Sequence, residues 1–480
     1  MLKRKITAYH THIEVYPYER GENKSIEDFY SVYDQVYHKM TPIAYCVYED
    51  TLYLPRGTSV AILEKQFNSP VIVSCESDPV KSIRIQPQLE PNSKTQEEAV
   101  DFLCSRNQFI RGESFSQLSL NIGTGKGKTI ATILALSEKY RCKTVIIVHQ
   151  SILKDQWKNE ILKASDLDES RIANIVGSKA MEACINHEID ADIYLVNHQT
   201  IHMFGDQYGW EQVHEFFKSI GVGLKIYDEA HKYFSNIMMI DFFSNTKKTF
   251  YLTATFKRNQ YENRMFNRAF SNTYRFGEET KNYEENRKHV VYYRVNYNSY
   301  PDNMTVSRLY NKFSVSSYKF IDYALYQDEN HTLLKVLDFI MEKVKNLNGK
   351  ILVITPKIDS TEFIANFTIQ NYGKTVGVIN SNKSEKENEE AKLADVISST
   401  IKSLGTAVDI KGLRVIINFE PFSSDVNTEQ FIGRLREYSK TDDTFMFDCI
   451  DNGLSSLVSM ADKRRRVVSK IAKEIRIINL

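Results

Sequence analysis

A chain of 480 residues has room for about three domains at roughly 150 residues each, and its 42% hydrophobic residues suffice for ordinary packed cores. Its 62 Lys and Arg nearly cancel its 61 Asp and Glu, leaving a net charge of +1, so whole-molecule attraction to nucleic acid is excluded and only a local basic stripe could supply it. The six cysteines (Cys46, Cys75, Cys104, Cys142, Cys184, Cys449) form no CxxC pair, which argues against a disulfide framework and a zinc site. The opening MLKRKITAYHTH lacks the apolar core of a secretory signal, so neither secretion nor membrane insertion is expected; the expected location is cytoplasmic, or the host cytoplasm if the source is viral.

In chain order, residues 1–90 show short apolar-polar alternations (ITAYHTHIEVY, TLYLPRG, PVIVSCE) and a helical SVAILEKQF, a pattern that predicts a small α+β accessory domain. Its tyrosines, Tyr9, Tyr16, Tyr18, Tyr45, Tyr48 and Tyr53, can either stack on bases or pack in a core. The Pro- and Asn-containing PQLEPNSK ends this region.

Residues 91–275 change to apolar strand runs (TVIIVH, DIYLVN, LKIYDE, TFYLTAT) separated by helical patterns, which predicts βαβ units on a parallel sheet. A second such series, KILVITP, TVGVIN, ADVISST, RVIINFE and TFMFDCI, lies within 276–480. The expected fold class is therefore α/β, with two tandem parallel-sheet domains after a small α+β domain. The last segment, DKRRRVVSKIAKEIRIINL, sets seven basic residues against two acids and spaces Val468, Ile471, Ile475 and Ile478 as on a helix. It reads as a basic amphipathic helix that either binds phosphate or is a solvated outer face.

Open α/β sheets bind ligands at the carboxyl ends of their strands, so two strand ends stand out. QLSLN leads into NIGTGKGKTI, in which Thr124, Gly125, Lys126 and Gly127 form a loop before a helix begun by Lys128 and Thr129. Glycines let backbone N–H groups converge on an anion at a helix N-terminus; Lys128 would reach the β- and γ-phosphates of ATP and Thr129 would ligate Mg2+. Ile122 stands where the GxxxxGK[ST] pattern wants glycine. About a hundred residues on, the strand LKIY ends in Asp228-Glu229-Ala230-His231. There Asp228 can hold the metal and Glu229 can orient or deprotonate the attacking water.

These residues resemble the superfamily 2 helicases and translocases, and within them the DEAH-box motors of phage UvsW type with the related XPB and restriction-motor subunits. The resemblance spans about residues 91–455 and implies RecA-like domains. It implies adenine recognition by Gln96 in KTQEEAV, and nucleic-acid contacts by Gln150 in VIIVHQSILKDQWKNEI and His198 in YLVNHQT. In YLTATFKR it implies coupling of the ATP site to the track by Thr253 and Thr255, together with His231, and further nucleic-acid contacts by Lys257 and Arg258. In the second sheet, ILVITPKIDS brings Lys357 to nucleic acid; SLGTAVDIKGL brings Gly405 and Asp409, and QFIGRLRE brings Gln430, to the nucleotide. Arg434 or Arg436 would be the arginine that meets the γ-phosphate. Phe256 replaces a common proline, and the second arginine of the last motif sits one residue early, with Glu437 in its usual place.

The resemblance implies an ATP-dependent DNA helicase or translocase acting on branched or forked DNA in phage-type replication, recombination or repair, as a monomer with ATP and Mg2+. It also implies ATP held between the two sheets and a DNA-engaging role for the first domain. An RNA helicase, or a nucleic-acid-binding module with weak hydrolysis, are the alternatives.

Overall fold

The computed structural model describes residues 4–34, 38–105, 116–122, 127–253, 269–270, 274–276, 289–311, 314–404, 410–435, 438–439 and 441–480. They form two compact units, Met1–Tyr283 and Glu284–Leu480.

The first unit opens with strands β1 (Lys5–Ala8), β2 (His12–Tyr16), β5 (Cys46–Tyr48), β6 (Thr51–Pro55) and β7 (Val71–Val73), ordered β5-β6-β2-β1-β7, with a separate hairpin of β3 (Ser31–Asp34) and β4 (Lys39–Pro42). The sheet is mixed, because β1 pairs antiparallel with β2 and parallel with β7. Ile6, Ala8, Ile13, Val15, Leu52 and Leu54 alternate along their strands and are wholly buried, the period-2 pattern of a half-buried sheet. They join one core with residues of the following sheet, and the rings of Tyr48 and Tyr53 lie 5.3 and 4.8 Å from that of Phe243. Tyr18 is buried too. The tyrosines therefore serve chiefly in packing, and of the six only Tyr16 is largely exposed.

The next sheet contains β8 (Gln117–Asn121), β9 (Thr144–Val148), β10 (Ile172–Ile175), β11 (Ile193–Asn197), β12 (Leu224–Tyr227), β13 (Lys248–Thr253) and β14 (Tyr274–Phe276), in the order β10-β11-β9-β12-β13-β8-β14. Every pairing is parallel. Runs such as TVIIV in β9 are buried at all five positions, as expected of strands covered on both faces.

The second unit repeats this plan. Its sheet holds β15 (Val290–Tyr297), β18 (Lys350–Ile354), β19 (Val376–Ile379), β20 (Val396–Ser399), β21 (Leu413–Asn418), β22 (Thr444–Asp451) and β23 (Glu474–Asn479), with β16 (Tyr310–Asn311) and β17 (Ser314–Val315) forming a small hairpin apart. The order is β19-β20-β18-β21-β22-β15-β23, again all parallel. Lettered a to g in chain order, the strands of both sheets run c-d-b-e-f-a-g. The α/β class with two tandem sheets and a small mixed N-terminal sheet is thus what the sequence predicts.

The carboxyl terminus departs from expectation. Its helix, Ser455–Ile471, stops before Ile475 and Ile478, which belong to β23 alongside β15. The β-branched run IRII is better placed on a sheet edge, and tertiary pairing overrides the helical spacing. Nor is the basic stripe wholly on the surface. Arg464 is 2% exposed and grips Asp448 of β22 through Nε and Nη2, each 2.9 Å from a carboxylate oxygen.

Candidate active site

At the carboxyl end of β8, Ile122 is 1% exposed, so its side chain serves the core and only its backbone is left for chemistry. The helix Lys128–Ala135 starts at Gly127, whose φ of +84° suits glycine. A Cβ there would also collide with Gln96 Nε2. Gln96, 1% exposed, donates to the Gly127 carbonyl at 3.3 Å and accepts from the Asn92 N–H at 2.7 Å. Ser93 caps the helix Lys94–Leu103 and fixes this glutamine on its first turn. The first turn of the helix Lys94–Leu103 is therefore tied to the start of the helix Lys128–Ala135. Thr124, Gly125 and Lys126 lie outside the described residues.

A closed ring of polar contacts follows. Lys128 Nζ donates to the Ile122 carbonyl at 3.1 Å and lies 3.8 Å from Glu229 Oε1. Glu229 Oε2 is 3.1 Å from His231 Nδ1, which is 2.8 Å from Thr253 Oγ1 at the end of β13. The Thr253 carbonyl accepts the Ile122 N–H at 3.1 Å and completes the circuit. Three strand ends, of β8, β12 and β13, are thereby connected through side chains that are 10% exposed or less. Glu229 is held at φ +51°, a left-handed conformation uncommon outside glycine, which costs on the order of 1 kcal/mol or more and turns its carboxylate back over the strand end.

Asp228, next to it, accepts from Trp157 Nε1 at 2.9 Å and from the Glu229 N–H at 3.0 Å. Burial, then the neighbouring Glu229 charge, push its carboxyl up to about 6. A divalent cation would relieve both effects, so the Asp228 carboxylate is one that could hold Mg2+. No cluster of three His, Cys, Asp or Glu occurs among the described residues, and Mg2+ needs none, since it is commonly held by one or two protein groups with water and phosphate. The sequence reading did not single out Trp157. Its signal was the helix Ile152–Ala164, where Leu153, Trp157 and Ile161 form a buried stripe whose one polar atom needs an acceptor.

Beside this ring lies an imidazole pair. His198, 6% exposed, accepts from Asn236 Nδ2 at 3.0 Å through Nδ1 and is covered by the Tyr233 ring at 4.3 Å. Burial lowers its pKa to about 4 and that of His149 to about 3, the latter also opposed by Lys232, whose Nζ is 3.3 Å away. His198, expected to contact nucleic acid, thus lies largely beneath Tyr233, which is 55% exposed. Gln150 is half-buried one residue beyond His149.

Thr255, Lys257, Arg258, Gly405, Asp409, Arg436 and the side chain of Gln430 lie outside the described residues. In the second unit, Lys357 sits just past β18 and donates to both oxygens of Asp322 at 2.9 and 3.1 Å. Arg434 is partly buried two residues after the helix Asp425–Ile432. That helix follows the β21 end, where Asn418 Nδ2 reaches Asp448 at 2.9 Å and Arg464 bonds the Phe422 carbonyl. Sequence reasoning missed this clamp because Arg464 sits in a run of four basic residues that all look solvated.

Residues 89–258 match the family described as the type III restriction enzyme, res subunit. No curated protein sequence matches the chain. Among solved structures it is similar to S. cerevisiae Dbp5 bound to RNA and ADP BeF3, at 13% identity over 81% of this chain and 90% of that one, with a TM-score of 0.54. It is more loosely similar to T4 UvsW (16% identity, all of both chains, TM-score 0.35) and to the Pyrococcus furiosus Hef helicase domain (13%, 76% and 97%, TM-score 0.47). The Dbp5 likeness carries the fold, two tandem RecA-like domains. The family match spans both strand-end segments of the site, Gly127-Lys128 and Asp228-Glu229, and the Dbp5 likeness extends over both parallel sheets.

Proposed function

We propose that the protein is an ATP-driven DNA helicase or translocase that remodels branched or forked DNA, in the manner of the phage recombination motors. The observation that carries the hydrolytic part is the ring Lys128–Glu229–His231–Thr253–Ile122 at one carboxyl edge. Lys128 now satisfies its charge on Glu229 and a carbonyl; phosphate oxygens would replace both, and Glu229 would be released toward water. As that carboxylate takes the water's proton, His231 and Thr253 feel the change directly, which links the chemistry to β13 and the segment after it. Asp228 and Thr129 would hold magnesium, which when bound neutralises developing phosphate charge. Arg434 is assigned the arginine role, on its place in the motif-VI-like segment. Grips on nucleic acid would be mainly to the backbone, hence sequence-tolerant and salt-sensitive.

The test is ATP turnover of the purified chain with single-stranded DNA, forked DNA, a four-way junction and RNA as stimulants. Stimulation by the DNAs, greatest for a branched one, is the expected result. Stimulation by RNA alone would overturn the DNA assignment, and turnover equal to that of a Lys128→Ala variant would overturn the motor itself.

A further inference from the structure

The helix Ser317–Tyr326 carries none of the motifs noted above, yet its composition is unusual for a surface helix. Phe320, Ile321, Ala324 and Leu325 bury one side of it, at 3% exposure or less. On the other side Tyr318, Asp322 and Tyr326 recur every fourth residue, and the two tyrosines are 46% and 55% exposed. Each ring has a lysine at hand. Lys402 Nζ lies 5.9 Å from the Tyr318 ring centroid and 3.4 Å from its hydroxyl, and Lys357 is anchored on Asp322, one turn from Tyr326.

The lysines fix where this stripe lies. Lys402 comes three residues after β20 and Lys357 three residues after β18, and those strands are parallel neighbours in the second sheet. The exposed stripe of the helix therefore lies by the carboxyl ends of these strands, the side on which open α/β sheets take ligands, while its apolar side packs on the core of the sheet. Its tyrosines stand about 12 Å apart along the axis, eight residues at about 1.5 Å each. That is three to four steps of a stacked strand at about 3.4 Å per nucleotide. Alternating rings and ammonium groups match the alternating bases and phosphates of one strand; neither a duplex exterior nor an apolar peptide offers both.

We propose that this face is a single-strand platform on which Tyr318 and Tyr326 stack nucleobases while Lys402 and Lys357 meet the adjoining phosphates. The proposal rests on the reading of the chain as a nucleic-acid motor and names where the second unit holds its track. Stacking is common to DNA and RNA, so both are probed.

The full chain is titrated into labelled oligo(dT) and oligo(U) of about 20 nucleotides, with anisotropy read at several salt concentrations. Tyr318→Ala and Tyr326→Ala should each weaken binding about fivefold to a hundredfold without changing the slope of log affinity against log salt. Phenylalanine at either position should restore binding to within about twofold, because the ring and not the hydroxyl is used. Lys402→Ala should instead reduce the salt slope by about 0.7. Tyr300→Ala, at an 81% exposed tyrosine beyond β15, should bind like the parent. A parent chain that binds neither oligomer would sink the motor reading as a whole. A parent that binds while both alanine variants match it would sink the platform alone, as would alanine variants that turn a dimer into a monomer with strand affinity intact.

Discussion

The two parallel sheets share one strand order and differ in what their loops carry, which separates scaffold from chemistry. After the a strand, the first sheet has Ile122 and the glycine-containing loop that ends at Gly127-Lys128; the second has Asn298-Ser299-Tyr300-Pro301-Asp302, which offers neither the glycines nor the lysine of a phosphate cradle. After the e strand, the first has Asp228, bonded to Trp157, and Glu229, 3.8 Å from Lys128, whereas the second has Glu420, whose Oε2 accepts the Ile401 N–H at 3.3 Å. Each sheet also buries one ion pair on its helical side: Lys225 with Asp241 at 2.6 Å, and Arg464 with Asp448. As proposed, the same frame then holds a phosphate site in one unit and a strand grip with a supporting arginine in the other.

The widest break between the two should come from Lys128→Ala and Asp228→Ala. Each is expected to abolish stimulated ATP hydrolysis, since no neighbour can replace the phosphate-facing ammonium or the metal-facing carboxylate. Turnover is measured alongside circular dichroism to show an intact fold; wild-type-like rates in either variant would refute the site.

The buried pairs test whether the scaffolds are equivalent. Truncating one partner leaves an unpaired charge in the core, so Asp241→Ala and Asp448→Ala should each cost about 3–5 kcal/mol of unfolding free energy. Lys225 and Arg464 are 0% and 2% exposed, and Asp241 also receives the hydroxyls of Tyr227 and Tyr251 at 2.7 and 2.6 Å. Denaturant unfolding of each variant is the measurement, and a loss below about 1 kcal/mol in either would show that pair to be dispensable.

Arg434→Ala carries the comparison to function. If the second unit contributes this arginine to hydrolysis, kcat should fall at least about a hundredfold with ATP KM little changed, as for a group used in the transition state. Arg436→Ala should cost distinctly less. A large loss from Arg436→Ala alone would transfer the role to that residue.

Much of the first site was legible in the sequence because its chemistry is compressed into short segments. Lys128 and Thr129 begin a helix at a strand end, and Asp228 and Glu229 end another strand, so local pattern alone placed them. The ring that joins them was not legible, since it depends on which strands are neighbours: β13 lies between β8 and β12 and brings Thr253 to His231. Ile122 looked like a defect in the phosphate loop, yet the ring uses only its backbone and the core uses its side chain. The C-terminal segment misled for the opposite reason. Ile475 and Ile478 fit a helical period, but an open sheet edge at β15 was available to pair with them, and the charge count could not reveal that Arg464 points inward to Asp448. The burial of His198 behind Tyr233 was not legible either, since it is a three-dimensional property.

The smallest effects should appear on titration, where the two e-strand carboxyls differ in what their charge serves. Asp228 is pushed up to about 6 and Glu420 to about 7, both chiefly by burial. For Asp228 the charged form binds the cation, so Mg2+ affinity should weaken as pH falls through about 6, approaching tenfold per unit below it. For Glu420, against an ordinary value of 4.5, the folded chain binds the proton more tightly than the unfolded chain does. Stability from this group is therefore present at low pH and is lost as pH rises through about 7, an effect on the order of 1–3 kcal/mol between pH 5 and 8. Glu420→Gln keeps an acceptor for the Ile401 N–H and removes the titration. Its melting temperature should vary less with pH above 5 than the parent's and exceed it at pH 8, while the Mg2+ titration near pH 6 stays as it was. A variant that melts like the parent across this range would mean that Glu420 remains ionised in the folded protein, and that the e-strand carboxyl of the second sheet is no more perturbed than a surface one.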